Sequence, residues 1–418
     1  MLRFIIIILL HFSLSTFAYS QYSINNFPTS EKKRFNKIKA HLRKIPGSET
    51  NDVYSLAHRI EDVADSDLEK SYAAFYWVSR NITYDMKSFL ADRTPPHLPR
   101  EVLKTRLAVC SGYAYLFKAL CDEMEVTCNV MNGYSKGYGY DSTKPIEVSN
   151  HSWNSVLINE RWYLLDATWA APKSNDRANL GSVNEAFFLT NPKDFIKDHL
   201  PEDPKWQLLS PQFSLVDFED NAPIIKNAQY SLVINDDIEH IGDYVDIGTR
   251  EVALQKRILA FNPKNTNAVY KLGVALMYQA LDTMDTMHKL SHENVLISTP
   301  QYKVRIYDLL DQAALCFDRV PQGAAYNSAQ TFLSETIYQK GVFNYEVAQI
   351  IYDTTLPLTI EEYEPIRVEF AEARIAYYKI AREYFEKIPT SSWYYENSQS
   401  YLRAIDEEQS DVVSSLSQ

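Results

Sequence analysis

The sequence has little cysteine, little glycine and a deficit of basic residues. Its 418 residues include four cysteines, too few for a disulfide scaffold, and 11 glycines, too few for a fibrous chain. Whether Cys121 and Cys128 form a disulfide stays open, and two buried thiols are the interpretation that we favour. Lys and Arg number 42 against 54 Asp and Glu, a formal net charge of −12. Such a chain repels nucleic acid and anionic lipid, so neither is expected as a partner.

Long apolar runs are absent except at the N-terminus. Residues 4–10 read FIIIILL behind Arg3, and the segment Ala18-Tyr19-Ser20 has small residues at the two positions that a signal peptidase recognises. The run is shorter than the ~20 residues that a membrane span needs, although an uncleaved anchor is the alternative. We therefore predict a signal peptide over residues 1–20, a secreted or periplasmic location, a bacterial chain and no stable membrane insertion.

The next segments predict helices broken by one proline-rich stretch. Residues 22–60 are polar and helical in character, and DSDLEKSYAAFYWVSRNITYD has apolar residues at helical spacing, with Asp65 or Ser66 as a cap. Residues 86–105 contain three prolines, which predicts a loop.

A helix with a buried face begins at Cys110. In VCSGYAYLFKALCDEM, apolar residues such as Tyr113, Phe117 and Met124 recur at helical spacing. The free N–H groups and the positive dipole end of a helix N-terminus favour a thiolate, and later an oxyanion. Cys110 is therefore a candidate nucleophile, and a buried structural thiol is the alternative.

Two strands further along supply a base and a carboxylate. VTCNVM predicts one strand, and NHSWNSVLI and RWYLLDATW predict two more, joined at Asn159-Glu160. If Ile158 pairs with Arg161, His151 and Asp166 are diagonal neighbours on one face, roughly 7–8 Å apart at the backbone. The two side chains can reach across that backbone distance and form an imidazole–carboxylate hydrogen bond. An odd-length loop would place them on opposite faces.

The blocks VCSGYAYLFKALC, NHSWNSVLINERWYLLDATW and ITYD resemble the transglutaminase-like superfamily, whose fold is related to papain-like cysteine proteases. The stretch FFLTNPKDFIKDHLPEDPKWQLLS resembles the extension of its kyphoscoliosis peptidase-like branch. The resemblance covers roughly residues 60–215. It implies an α+β domain in which Cys110 is the nucleophile, His151 the general base and Asp166 the orienting carboxylate. It implies neither a cofactor nor a metal.

The resemblance also implies acyl transfer through a thioester on Cys110. Hydrolysis of a peptide or amide bond is slightly favoured over cross-linking of glutamine to an amine, and the substrate would be a protein or peptide. The alternative is a catalytically inert module that binds proteins.

The C-terminal part of the chain predicts helices only. Pro263, Pro321 and Pro389 each follow an amphipathic segment, and the first resembles a tetratricopeptide-type repeat, although the intervals are irregular. We predict a transglutaminase-like domain over 21–215, a linker over 216–244, an all-α helical-repeat domain over 245–408 and a disordered tail over 409–418. Stacked helical repeats favour a protein partner on that domain.

Overall fold

The structure is a computed structural model of the 418-residue chain. It describes residues 26–45, 50–91, 97–172, 182–220, 229–230, 247–292, 299–323, 325–355, 359, 364 and 367–416. The predicted signal peptide and most of the predicted linker lie outside these residues. The chain divides into two compact units, Met1–Asn235 and Asp236–Gln418.

Helices form the first layer of the N-terminal unit. They are α1 (Thr29–Leu42), α2 (Val53–Glu61), α3 (Asp67–Asn81), α4 (Met86–Leu90), α5 (Pro99–Thr105) and α6 (Cys110–Glu123). Ser66 caps α3 by accepting a hydrogen bond from the Glu69 N–H, as the sequence predicted. The buried faces of α3 and α6 carry most of the aromatic core.

The proline-rich stretch over 86–105 is not the continuous loop that the prolines predicted. It contains α4 and α5, separated by residues outside the described ranges. Pro99 begins α5, where a helix leaves the N–H groups of its first turn unpaired, so the missing N–H of proline costs nothing. Two short strands, β1 (Thr83–Tyr84) and β2 (Leu107–Ala108), pair in parallel on either side of this stretch.

A four-stranded antiparallel sheet forms the second layer. It consists of β3 (Cys128–Ser135), β4 (His151–Ile158), β5 (Arg161–Leu165) and β6 (His199–Pro201), in the order β5-β4-β3-β6. The predicted register is confirmed, because Ile158 pairs with Arg161 and Asn154 with Leu165. Asn159 and Glu160 both have positive φ (50° and 62°), as the tight hairpin turns that match the strand twist require.

The segment after β5 supplies the edge strand β6 and packs further side chains against the sheet. It contains α7 (Ala167–Ala170), a 3-10 turn (Glu185–Phe187), α8 (Pro192–Phe195), β6, a second 3-10 turn (Pro204–Gln207), β7 (Leu209–Ser210) and α9 (Leu215–Glu219). Strand β8 (Gln229–Tyr230) pairs with β7. Phe195, Trp206 and Leu208 pack against Trp153 and other apolar side chains of the sheet, forming a second, smaller core.

The close contact of β6 with β3 depends on Gly133. A Cβ at Gly133 would stand 2.3 Å from the carbonyl oxygen of Leu200 and 2.3 Å from the Trp153 ring. No side chain fits there. Gly133 pairs with Pro201 in β6 on one side and with His151 in β4 on the other. It therefore lies between the strands that carry His199 and His151.

The C-terminal unit is helical, as predicted. Its helices are α10 (Ile247–Phe261), α11 (Thr266–His292), α12 (Thr299–Asp318), α13 (Tyr326–Thr355), α14 (Arg367–Phe385) and α15 (Tyr395–Leu416). Consecutive helices pack against each other around an aromatic core, and Pro263, Pro321 and Pro389 follow helix ends. The segment predicted as a disordered tail continues α15 to Leu416.

None of the helices in the described ranges combines the length and hydrophobicity that crossing a membrane requires.

Candidate active site

Cys110 is the first residue of α6, as its sequence pattern predicted. The residue before it, Val109, is extended and contributes no side-chain cap, and the first turn of α6 has no acidic residue. The N–H groups of that turn are therefore available to a thiolate or an oxyanion. The body of the helix is buried, while Cys110 itself is half-buried and free. A nucleophile needs this combination of a fixed backbone and access to solvent.

The hairpin register places His151 and Asp166 in direct contact. His151 Nε2 lies 2.7 Å from Asp166 Oδ2, and both side chains are buried. Because Asp166 accepts at Nε2, the other ring nitrogen, Nδ1, is left for the Cys110 thiol. The predicted side-chain pair is thus present, at the distance that holds an imidazole in one tautomer.

Asp166 is fixed through both of its carboxylate oxygens. Oδ1 accepts hydrogen bonds from the backbone N–H groups of Thr168 (2.7 Å) and Trp169 (3.0 Å), which makes Asp166 the cap of α7. Oδ2 accepts from His151 and also lies 3.0 Å from His199 Nε2. A fully buried carboxylate with four donors is stabilised in its ionised form.

His199 is the residue that the sequence analysis missed. It is 33 positions from Asp166, at the start of the three-residue strand β6. No local periodicity connects the two. The available signals were the dipeptide Asp198-His199 and its place inside the segment that resembles the family extension.

The charges of the pair reinforce each other. Burial alone would lower the pKa of His151, but Asp166 and the Cys110 sulfur outweigh it and raise the pKa of His151 to about 10. Burial likewise opposes ionisation of Asp166, yet the charges and hydrogen bonds of His151 and His199 hold its pKa well below the usual range. At neutral pH this arrangement favours an imidazolium beside a carboxylate, which stabilises a neighbouring thiolate.

Tyr84 is a further polar group beside the nucleophile. Strand pairing aligns Tyr84 with Ala108, two residues before Cys110. Burial, followed by the charges of Cys110 and Asp166, raises the pKa of Tyr84. Its phenol therefore keeps its proton at neutral pH and remains a hydrogen-bond donor.

Among the described residues, His151, Asp166 and His199 form a group that could hold a metal ion, with ligand atoms within 4.8 Å of one another. Both Nε2 atoms already lie at hydrogen-bond distance from the same carboxylate oxygen. A metal would replace those two N–H protons and would occupy the nitrogen through which Asp166 orients His151. The observed distances fit donated protons.

Comparison with known proteins finds sequence similarity over the region that contains this site. The model of the transglutaminase-like superfamily matches residues 54–167. Kyphoscoliosis peptidase of Mus musculus is 37% identical over 161 residues, which are 38% of this chain and 24% of that protein. Hillarin of Drosophila melanogaster is 28% identical over 39% of this chain and 21% of its own length, and cytokinesis protein 3 of Schizosaccharomyces pombe is 30% identical over 35% and 17%. The chain spans about a quarter or less of these relatives.

The predicted secreted or periplasmic location is wrong. The relatives, which also include the Caenorhabditis elegans protein ltd-1, are cytoskeletal or cytoplasmic proteins of eukaryotes, and this conflicts with export. The apolar N-terminus alone supported export, because its length and flanking residues match those of a signal peptide. Bacterial origin is likewise not shown, since these relatives are eukaryotic.

Residues 54–167 of this chain form a transglutaminase-like domain that is similar to part of kyphoscoliosis peptidase, and a mostly helical C-terminal region follows.

Proposed function

We propose that the N-terminal unit is a cysteine-dependent acyl-transfer enzyme that acts on peptide or amide bonds of proteins through Cys110, His151 and Asp166. The observation that carries the proposal is the chain of contacts at one point of the fold. A half-buried cysteine begins a helix whose amides are uncapped, and it interacts with an imidazole that is hydrogen-bonded to a buried carboxylate.

Each group has a defined role in the proposed reaction. In the resting pair His151 Nδ1 already holds the proton of the Cys110 thiol, and the Cys110 thiolate attacks the carbonyl carbon of the substrate. The N–H groups at the start of α6 stabilise the oxyanion that forms. The C–N bond then breaks as His151 returns the proton to the leaving amine, which yields a thioester on Cys110. Water or a primary amine attacks the thioester, loses a proton to His151 and releases the thiol.

Hydrolysis is the favoured outcome, and transfer to an amine is the other. Incubation of the full chain with a mixture of denatured proteins and a tagged primary amine separates them. New peptide N-termini, measured by mass spectrometry, report peptide hydrolysis, conversion of glutamine to glutamate reports amide hydrolysis, and tag on glutamine side chains reports transfer. The Cys110→Ala chain, which lacks only the sulfur, should give none of these products. Identical product levels in both chains would refute the assignment of Cys110.

A second candidate is an inert domain that binds proteins, with the helical unit as the docking region. Exposed apolar side chains on that unit favour a protein partner: Trp393 is 85% exposed and Val304 71%. The two candidates differ in one respect. An inert domain does not require an activated thiol, so Cys110 would be alkylated no faster than a free thiol in that case.

A further inference from the structure

We propose that His199, contributed by the extension after the transglutaminase-like core, is a positioning residue that holds Asp166 in place and keeps it ionised. This inference rests on the proposed function. It adds a fourth side chain, acting through Asp166, to the three predicted from the sequence.

Hydrogen-bond geometry is the first argument. His199 Nε2 lies 3.0 Å from Asp166 Oδ2, and Nδ1 lies 2.6 Å from Asp198 Oδ1. A lone pair on Nε2 would face the Asp166 carboxylate, so Nε2 carries a proton and donates it. His199 thus supplies a buried hydrogen-bond donor to Asp166.

The surroundings of His199 hold its ring in place and exclude water. The ring is completely buried and stacks on Phe195 at a centroid distance of 4.1 Å and an interplanar angle of 19°. Trp169 lies 4.3 Å away. These packed aromatic rings exclude water, so the Asp166 carboxylate is the partner that Nε2 has in place of water.

Charge balance shows what His199 does for Asp166. A carboxylate that is fully buried loses its hydration, and only donors and positive charge can compensate. Two of its four donors are backbone N–H groups, one is His151, and the fourth is His199. When His151 gives its Nδ1 proton away in the proposed reaction, its positive charge beside Asp166 is lost, so the hydrogen bond from His199 then carries more of the compensation.

Strand pairing fixes His199 independently of the triad. His199 pairs with Ser135 in β3, and Leu200 pairs with Tyr134. Strand β3 also pairs with β4, which carries His151. The sheet thus sets the distance between the two imidazoles, whose ring centroids are 5.4 Å apart.

The test uses a matched pair of variants in the full chain. His199→Met and His199→Gln have unbranched side chains of similar length, but only glutamine can donate a hydrogen bond to Asp166. The readout is the rate at which iodoacetamide alkylates Cys110 at pH 6, resolved by peptide mass spectrometry, with Cys121 protection in the same sample as the measure of folding.

The Met variant should alkylate roughly ten- to a hundredfold more slowly than the unmodified chain, since hydrogen bonds to charged groups are among the strong ones. The Gln variant should stay within about threefold of the unmodified chain. In an Asp166→Asn chain, His199→Met should add less than about twofold, because a residue that acts through Asp166 loses its effect when the carboxylate is gone. Phe195→Leu disturbs the same packing without touching Asp166 and should leave the rate within about twofold.

Other results would overturn the inference. A folded Met variant that alkylates at the unmodified rate, or effects of His199→Met and Asp166→Asn that multiply, would assign His199 to packing alone. If the Met variant loses its fold, the Gln variant decides, and a folded Gln chain with a slow thiol contradicts the proposal. A rate that changes on addition of EDTA would mean that a metal, not donated protons, joins the imidazoles. Failure of the proposed function looks different: Cys110 of the unmodified chain would then react no faster than N-acetylcysteine.

Discussion

Replacing Asp166 with asparagine should destabilise the N-terminal unit and change the pH dependence of its stability. Whichever way the amide is turned, its NH₂ group faces two donors, either the backbone N–H groups of Thr168 and Trp169 or the two imidazoles. Each buried donor without an acceptor costs about 1–3 kcal/mol, so we expect a loss of about 2–6 kcal/mol at pH 7.

The pH dependence follows from two pKa shifts of opposite direction. The pKa of Asp166 is lowered by folding. Its contribution to stability is therefore present above the pKa of the unfolded chain and is lost as the pH falls through the pKa of the folded chain. The pKa of His151 is raised from 6.5 to about 10, so its contribution is present below pH 6.5 and is lost as the pH rises toward 10. At about 1.4 kcal/mol per unit the His151 contribution is at most about 5 kcal/mol. Asp166→Asn should abolish most of this alkaline loss, because burial alone favours neutral His151.

The assay is labelling of the buried thiol Cys121 in a Cys110→Ala background. Cys121 is completely buried, so it reacts only when its unit opens, and the titrating sulfur of Cys110 is absent. Asp166→Asn should raise the labelling rate roughly 30-fold or more at pH 7. Between pH 6.5 and 10, the opening equilibrium constant should rise more steeply with pH in the chain that keeps Asp166 than in the Asp166→Asn chain. The labelling rates are first corrected for the intrinsic reactivity of the thiol at each pH. Equal labelling at pH 7 and parallel pH profiles would refute the account of a buried, ionised Asp166.

Three further predictions concern other parts of the chain. Gly133→Ala should destabilise the N-terminal unit by about 1–3 kcal/mol, measured by Cys121 labelling, because its Cβ would stand 2.3 Å from the Leu200 carbonyl oxygen; unchanged labelling would contradict the close approach of β6. Gly341→Ala should lower the melting temperature of the helical unit, since its Cβ would stand 2.7 Å from an aromatic ring, whereas Gly323→Ala meets nothing within 4 Å and should be neutral; equal shifts for both would be inconsistent. Burial raises the pKa of Glu346 to about 7, so the neutral side chain is favoured in the folded unit. The stability of the unit is therefore full below the pKa of Glu346 in the unfolded chain and decreases as the pH rises through 7. Glu346→Gln should therefore stabilise the unit in urea unfolding at pH 8 and have little effect at pH 5, and a benefit equal at both pH values would argue against a titrating Glu346.

The parts of the site that the sequence predicted depend on short-range rules. The start of α6 at Cys110 follows from helical spacing, and the contact of His151 with Asp166 follows from a two-residue turn whose register cannot slip without exposing a buried face. Both are encoded within about 20 residues. Both features can therefore be predicted from the sequence alone.

The parts that the sequence did not reveal depend on long-range pairing. His199 reaches Asp166 only because β6 adds to the far edge of the sheet beside β3, and three residues are too few to show a strand period. The helices within 86–105 were missed for a different reason. Prolines were read as breakers, whereas Pro99 occupies the helix position that tolerates proline.

The most direct test of the central claim is the pH profile of Cys110 alkylation in the full chain, with N-acetylcysteine as the reference thiol. If Cys110 is activated by His151 and the start of α6, it should react at least about tenfold faster than the reference at pH 6, and His151→Ala should abolish the difference. A Cys110 profile that follows the reference at every pH, and is the same in the His151→Ala chain, would contradict a catalytic centre at this site.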